Sequence, residues 1–246
     1  MLRALTSLVP AVLLVGCVAN SGDEGMVVLN NTAPPTTGCL LTGMSSQPFI
    51  SHGEISTLSP SAYLFTPLIE SRLAGTASTT GGTDLQHTIQ LQGARVSLEV
   101  KGASVQHADG SFSSPTITLS GAAAKFTTLF AGSVTPLGTV NVGMDLIPIP
   151  TIASIAQQSG ATATDHMHVE VLATATIYGQ VGGSDITAQP YQFPVTVCND
   201  CVVVDNGQCP LVITTPRLGD ACNPYQDGVV DCCRDASNRL ICPGSK

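Results

Sequence analysis

The stretch from Ala94 to Lys101 alternates residue by residue. Val96, Leu98 and Val100 are apolar, and Arg95, Ser97, Glu99 and Lys101 between them are polar. Successive strand side chains point to opposite sides, so this period of two predicts a strand with one buried and one solvated face. Runs of similar character cover residues 26–30, 53–58, 62–73, 86–92, 116–120, 125–133 and 139–146. The last pair of runs, 166–179 and 185–197, flanks Val181-Gly182-Gly183-Ser184. A Gly-Gly dipeptide between alternating runs predicts a hairpin. Pro190 and Pro194 lack backbone donors and predict that the second run is an edge strand or irregular. One short helix is predicted over 149–158, with proline at its start, small apolar residues along one face and Gly160 after it. The pattern predicts a mainly β domain over 26–197, an antiparallel β-sandwich of immunoglobulin-like type with about eight or nine strands.

Both ends of the chain break this pattern. Arg3 precedes an apolar run that ends at Val15, too short to cross a bilayer, which takes ~20 apolar residues. It suits the apolar region of an export signal over 1–16. The run closes on Leu14-Val15-Gly16-Cys17, which resembles the lipobox of bacterial lipoproteins. That resemblance implies cleavage after Gly16 and acylation of Cys17 on its sulfur and its new amino group. Several buried acyl chains, at about 0.8 kcal/mol per methylene, would make attachment to the membrane effectively permanent. Val18 after the anchor, where enteric lipoproteins kept in the inner membrane carry aspartate, points to the outer membrane. Residues 17–25 read as a lipidated tether, small, polar and acidic.

At the other end, Cys198, Cys201, Cys209, Cys222, Cys232, Cys233 and Cys242 crowd into 198–246 among Pro, Gly and Asp. A segment this short and loop-rich builds little core and needs covalent staples. Cys198-x-x-Cys201 admits a zinc knuckle, a redox pair or a disulfide. An exported chain meets an oxidising compartment, which favours structural disulfides. Zinc ribbons want a second such pair, and a redox pair wants a following helix, whereas Val202-Val203-Val204 reads as a strand. With Cys17 taken by lipid, the tail holds an odd number of the remaining cysteines, and Cys39 is the one partner outside it. A bridge from Cys39 to the tail is therefore expected, with Cys198 or Cys201 as its partner, and Cys232 and Cys233 should reach two different partners.

Composition narrows the function. The formal charge is −8, only 11% of residues are charged, and no basic cluster exists, which argues against nucleic acid as a partner. Tryptophan is absent and aromatics are 4%, which weakens a sugar-stacking role. No nucleophile elbow, phosphate loop or dinucleotide fingerprint occurs. Asp220 to Asp231 is acidic and turn-rich but lacks the alternating oxygen ligands of a calcium loop.

The best candidate chemistry is His166-x-His168-x-Glu170. Alternate residues share a strand face, so the three could offer a metal two imidazoles and a carboxylate. The competing reading makes them a solvated face, with Met167, Val169 and Val171 buried and Asp165 at an exposed strand entry. His52, His87 and His107 stand alone in sequence and read as surface or turn residues.

The segments around Ser61 to Leu73 and Gln192 to Cys201, with the cysteine-rich end, resemble uncharacterised envelope lipoproteins of myxobacteria and their relatives. The resemblance implies a secreted, lipid-anchored β-domain and carries no activity, catalytic residue or cofactor. The expected function is structural or protein-contacting, at the cell envelope, without catalysis. The alternatives are a module for a small ligand or metal and, last, a metal-assisted hydrolase.

Overall fold

A computed structural model describes residues 25–33, 38–39, 41, 48–75, 87–162, 164–199, 201–210, 215–237 and 239–243. The expected export signal, Cys17 and all of the expected tether but Gly25 lie outside the described residues. In chain order the elements are β1 (Met26–Thr32), β2 (Phe49–Ile50), β3 (Gly53–Ser56), β4 (Tyr63–Phe65), β5 (Pro67–Ser71), β6 (Ile89–Gln106), β7 (Phe112–Ser113), β8 (Lys125–Val134), β9 (Thr139–Asn141) and β10 (Met144–Ile147). The helix α1 (Ile149–Ser159) follows, then β11 (His166–Val181), β12 (Ser184–Thr187), β13 (Tyr191–Cys198), β14 (Val203–Gln208), β15 (Val230–Arg234) and β16 (Leu240–Ile241).

The protein is mainly β. Its largest sheet is built on β11, which pairs antiparallel with β6 from His166 opposite Gln106 to Gln180 opposite Gln90. On its other side β11 carries β12 and β13, and β3 runs parallel to the end of β13. β6 takes β7 and β8 along its far side. A second sheet has the order β2-β1-β5-β9, and β4 pairs with β10. Along β11 Met167, Val169, Val171, Ala173, Ala175 and Ile177 are buried, while the residues between them reach solvent. These apolar positions join Met26 and Ile69 of the second sheet, Phe65 and Met144 of the short pair, and Ile152 and Ile155 of α1 in one core. Phe193 packs between Phe65 and Tyr63, with ring centroids 5.3 and 6.0 Å away.

The strands are more numerous than the runs read from the sequence; some runs split and others fuse or extend, and the breaks have causes. Runs 62–73 and 139–146 do pair, but each splits. β4 lies against β10 and β5 against β9, in one register from Leu64 opposite Asp145 to Glu70 opposite Thr139, with the pairing broken at Thr66 and Val142. A buried polar knot sits at this corner. The Thr66 hydroxyl donates to the Thr32 carbonyl, the Thr66 N–H donates to Asn31 Oδ1 at 2.9 Å, and Asn141 Nδ2 donates to Thr32 Oγ1 at 2.9 Å. These side chains satisfy backbone groups that a straight ladder would have paired. Runs 86–92 and 94–101 instead fuse into β6 through Gly93, where a side chain would strike the Thr128 carbonyl.

Residues 116–120 form no strand; the Gln158 amide stands in for a neighbouring one, accepting from Thr118 N–H at 3.0 Å and donating to its carbonyl at 3.3 Å. The hairpin lies where the Gly pair places it, with Gly182 at φ 55° and Gly183 at φ 82° between Val181 and Ser184. Both positive φ values suit the primed turn that matches strand twist. The run after it is interrupted before β13, at Pro190. Pro194 falls one residue before β3 begins to pair with β13, on an edge still open. α1 ends at Gly160, whose φ of 66° closes the helix.

Candidate functional site

His166, His168 and Glu170 lie on the solvent side of β11, as alternation requires. They are not gathered with a further ligand: among the described residues no three His, Cys, Asp or Glu side chains form a group that could hold a metal. Glu170 is engaged elsewhere. It accepts from Thr196 Oγ1 at 3.0 Å and lies 3.7 Å from His52, whose other ring nitrogen is 2.7 Å from the same Thr196 hydroxyl. Asp165 differs from its expected exposed position. It is buried and accepts from Thr162 N–H at 2.8 Å, Thr162 Oγ1 at 2.9 Å and Ala108 N–H at 3.2 Å. The Thr162 donors come first in holding its pKa down to about 2. His107 is 3.4 Å from this carboxylate and 2.9 Å from Ser113 Oγ, so it belongs to a local lock.

The structure concentrates its unusual groups where the cysteine-rich tail meets the β-domain. Four disulfides join Cys39 to Cys222, Cys198 to Cys201, Cys209 to Cys233 and Cys232 to Cys242. Cys39 does reach the tail, and Cys232 and Cys233 do take separate partners. The partner of Cys39 is corrected: it is Cys222, because Cys198 and Cys201 close on each other. Cys198 ends β13 inside the core, whereas Cys39 is exposed.

From Cys222 the chain lies along β3 and β4. Ser56 N–H donates to the Tyr225 carbonyl at 3.0 Å and Asp227 N–H to the Glu54 carbonyl at 3.0 Å, so the tail occupies the open edge of β3. Gln226 is wholly buried; its amide accepts from Leu64 N–H at 2.8 Å and donates to the Leu64 carbonyl at 2.9 Å. One side chain thus does for β4 what a paired strand would do. Asn223 Nδ2 donates to the Ala62 carbonyl at 3.1 Å.

Asp227 sits at the end of this seam with φ 54°, a left-handed conformation that Asp tolerates. Its carboxylate accepts from Glu54 N–H at 2.8 Å and from Tyr63 Oη at 2.7 Å. Burial is the largest influence on it and pushes its pKa up to about 6, against the pull of those donors. Tyr63 is pushed well above the usual phenol range, by burial first and then by Asp227. Asp231 shows the opposite environment. Arg217 grips it with Nε at 3.0 Å and Nη2 at 2.6 Å, holding it well below the usual carboxylate range. Asp220 accepts from the Cys222 and Asn223 N–H groups at 2.7 and 3.1 Å. The acidic run read as unsuited to calcium is spent on backbone and arginine. Gln226 and Asp227 escaped sequence reasoning: Asp227-Gly228 announced a turn, and nothing local showed what that turn would touch.

Beside the seam lies a cavity of about 500 Å³, within the range of small-ligand sites. Leu58, Met167, Val203 and Leu240 supply apolar wall, and Asp205 and Arg234, paired at 2.5 Å, supply a charged one. Val203, Leu240 and both charged residues belong to the tail, so the cavity exists only while the tail is docked. Compared with protein-family models, curated proteins and solved structures, the chain matches none.

Proposed function

We propose that this chain is an exported envelope protein, held at the outer membrane by lipid on Cys17, that works as a structural or protein-contacting β-domain without catalysis. The observation that carries this reading is the pairing of every cysteine from Cys39 to Cys242 into four disulfides. Disulfides used in this way belong to oxidising compartments. The ninth cysteine, Cys17, ends the apolar leader. The resemblance to myxobacterial lipoproteins points the same way. Support for a non-catalytic role is the use made of the polar groups: Glu170, Asp165, Asp227 and Asp231 each hold local structure.

The test is fractionation of cells expressing the full chain. Wild type should sediment with membranes and incorporate labelled palmitate. Cys17→Ala should lose the label and shift to the soluble envelope fraction. A Cys17→Ala protein that stays with the membrane at the wild-type level would sink the anchor.

A further inference from the structure

The outer face of the large sheet holds an arrangement that none of this uses. Seven Lys and Arg residues are described. Arg72, Lys101, Arg217, Arg234 and Arg239 each lie within ion-pair distance of an Asp or Glu. Arg95 and Lys125 have no such pairing among the described residues, and both line one open groove of about 470 Å³ across β11, β6 and β8. In a chain of charge −8, two adjacent unpaired cations on a solvated face stand out.

The register explains how they meet. Arg95 lies between Thr176 of β11 and Thr127 of β8, and in the next row Ser97 lies between Thr174 and Lys125. Arg95 and Lys125 are diagonal neighbours, a relation of roughly 7–8 Å that two long side chains can close upon one anion. The row on the other side of Arg95 is Tyr178, Gly93 and Leu129. A Cβ on Gly93 would stand 2.9 Å from Tyr178 Oη and 3.2 Å from Cζ, so the glycine lets the tyrosine ring lie against the sheet. Leu129 beside it is 78% exposed. The Arg95 guanidinium is 5.0 Å from the Tyr178 ring centroid, which positions the cation without neutralising it.

We infer that this groove binds an acidic sugar. A carboxylate, sulfate or phosphate group would lie between Arg95 and Lys125, and the Ser97, Thr127, Thr174 and Thr176 hydroxyls are placed for sugar hydroxyls. Tyr178 and Leu129 offer the apolar surface that a sugar's C–H face requires. The groove is open to solvent, which leaves room for a saccharide. Two cations on an acidic protein are too few to hold an anionic bilayer, where each contributes about 1 kcal/mol. The inference goes beyond the proposed envelope role and does not depend on the lipid at Cys17.

The experiment is titration of the purified full chain in detergent, at low salt, with a tetrasaccharide bearing uronate and sulfate. The comparison probes are a neutral dextran tetrasaccharide, inorganic phosphate and glycerophosphoglycerol, the free headgroup of phosphatidylglycerol. The acidic tetrasaccharide should bind at least tenfold more tightly than any of these, and Arg95→Gln/Lys125→Gln should weaken it at least tenfold with an unchanged circular dichroism spectrum. If the double variant does not fold, Lys125→Gln alone reads the same loss. No binding of the acidic tetrasaccharide, equal binding of phosphate or the free headgroup, or undiminished binding by the variant would overturn the assignment.

Discussion

At Asp227 a carboxyl group is buried among neutral donors, with Tyr63 and Gln226 on one side and the Glu54 N–H on the other, and Asp220 as the nearby like charge. Burial therefore wins, and its pKa rises to about 6. The folded protein binds this proton more tightly than the unfolded chain does. The contribution to stability is then full below the ordinary carboxylate pKa of about 4 and is lost as pH rises through about 6. Asp231 has the opposite sign: Arg217 depresses it, so its contribution is present at neutral pH and lost in acid. Asp227→Asn should keep the Glu54 bond and remove the proton dependence. Thermal melts from pH 4 to pH 7 should show a smaller loss of stability with rising pH in the variant than in wild type. Equal slopes would mean that Asp227 is ionised throughout that range.

At the scale of elements, alternation proved a good guide to which segments are strands and a poor guide to where they stop. β11 and the hairpin after it were legible because Val169, Val171 and Ile177 face the core in strict period and Gly182-Gly183 can take only a few turn shapes. The split at Thr66 was not legible, because it depends on Asn31 and Asn141 arriving from other strands. The absence of a strand at 116–120 was hidden for the same reason, since its partner is the Gln158 side chain. The candidate metal face was legible as a face but not as a site: spacing puts His166, His168 and Glu170 on one side and cannot supply a closing ligand. Aromatic scarcity pointed away from sugars, yet one tyrosine laid over Gly93 beside Arg95 is a matter of register that composition does not record. The tail's seam is the element that closes β3 and β4. Gln226→Ala would leave the half-buried Leu64 N–H and carbonyl without these partners, at about 1–1.5 kcal/mol each. Denaturant unfolding should show a loss of at least ~2 kcal/mol; a variant as stable as wild type would show that water or another group serves Leu64 equally well.

The molecule as a whole is a β-domain whose last segment returns to close it. The tail occupies the outer edge of β3 and seals β4 with one glutamine, so strand edges that would invite pairing with other chains are covered. Cys39 to Cys222 locks that return across 183 residues of sequence, a closure that stabilises by about 5 kcal/mol in the chain-entropy picture. Counting cysteines was enough to require a link from Cys39 to the tail, once Cys17 was set aside for lipid. It could not choose Cys222, because that choice follows from the packing of Cys198 into the core beside Cys201. The most direct test is mass spectrometry of the protein purified from membranes, digested without reduction. The expected result is an acylated Cys17 at the new N-terminus and a peptide pair linking Cys39 to Cys222. An unmodified Cys17, or Cys39 recovered as a free thiol or joined to Cys198 or Cys201, would contradict it.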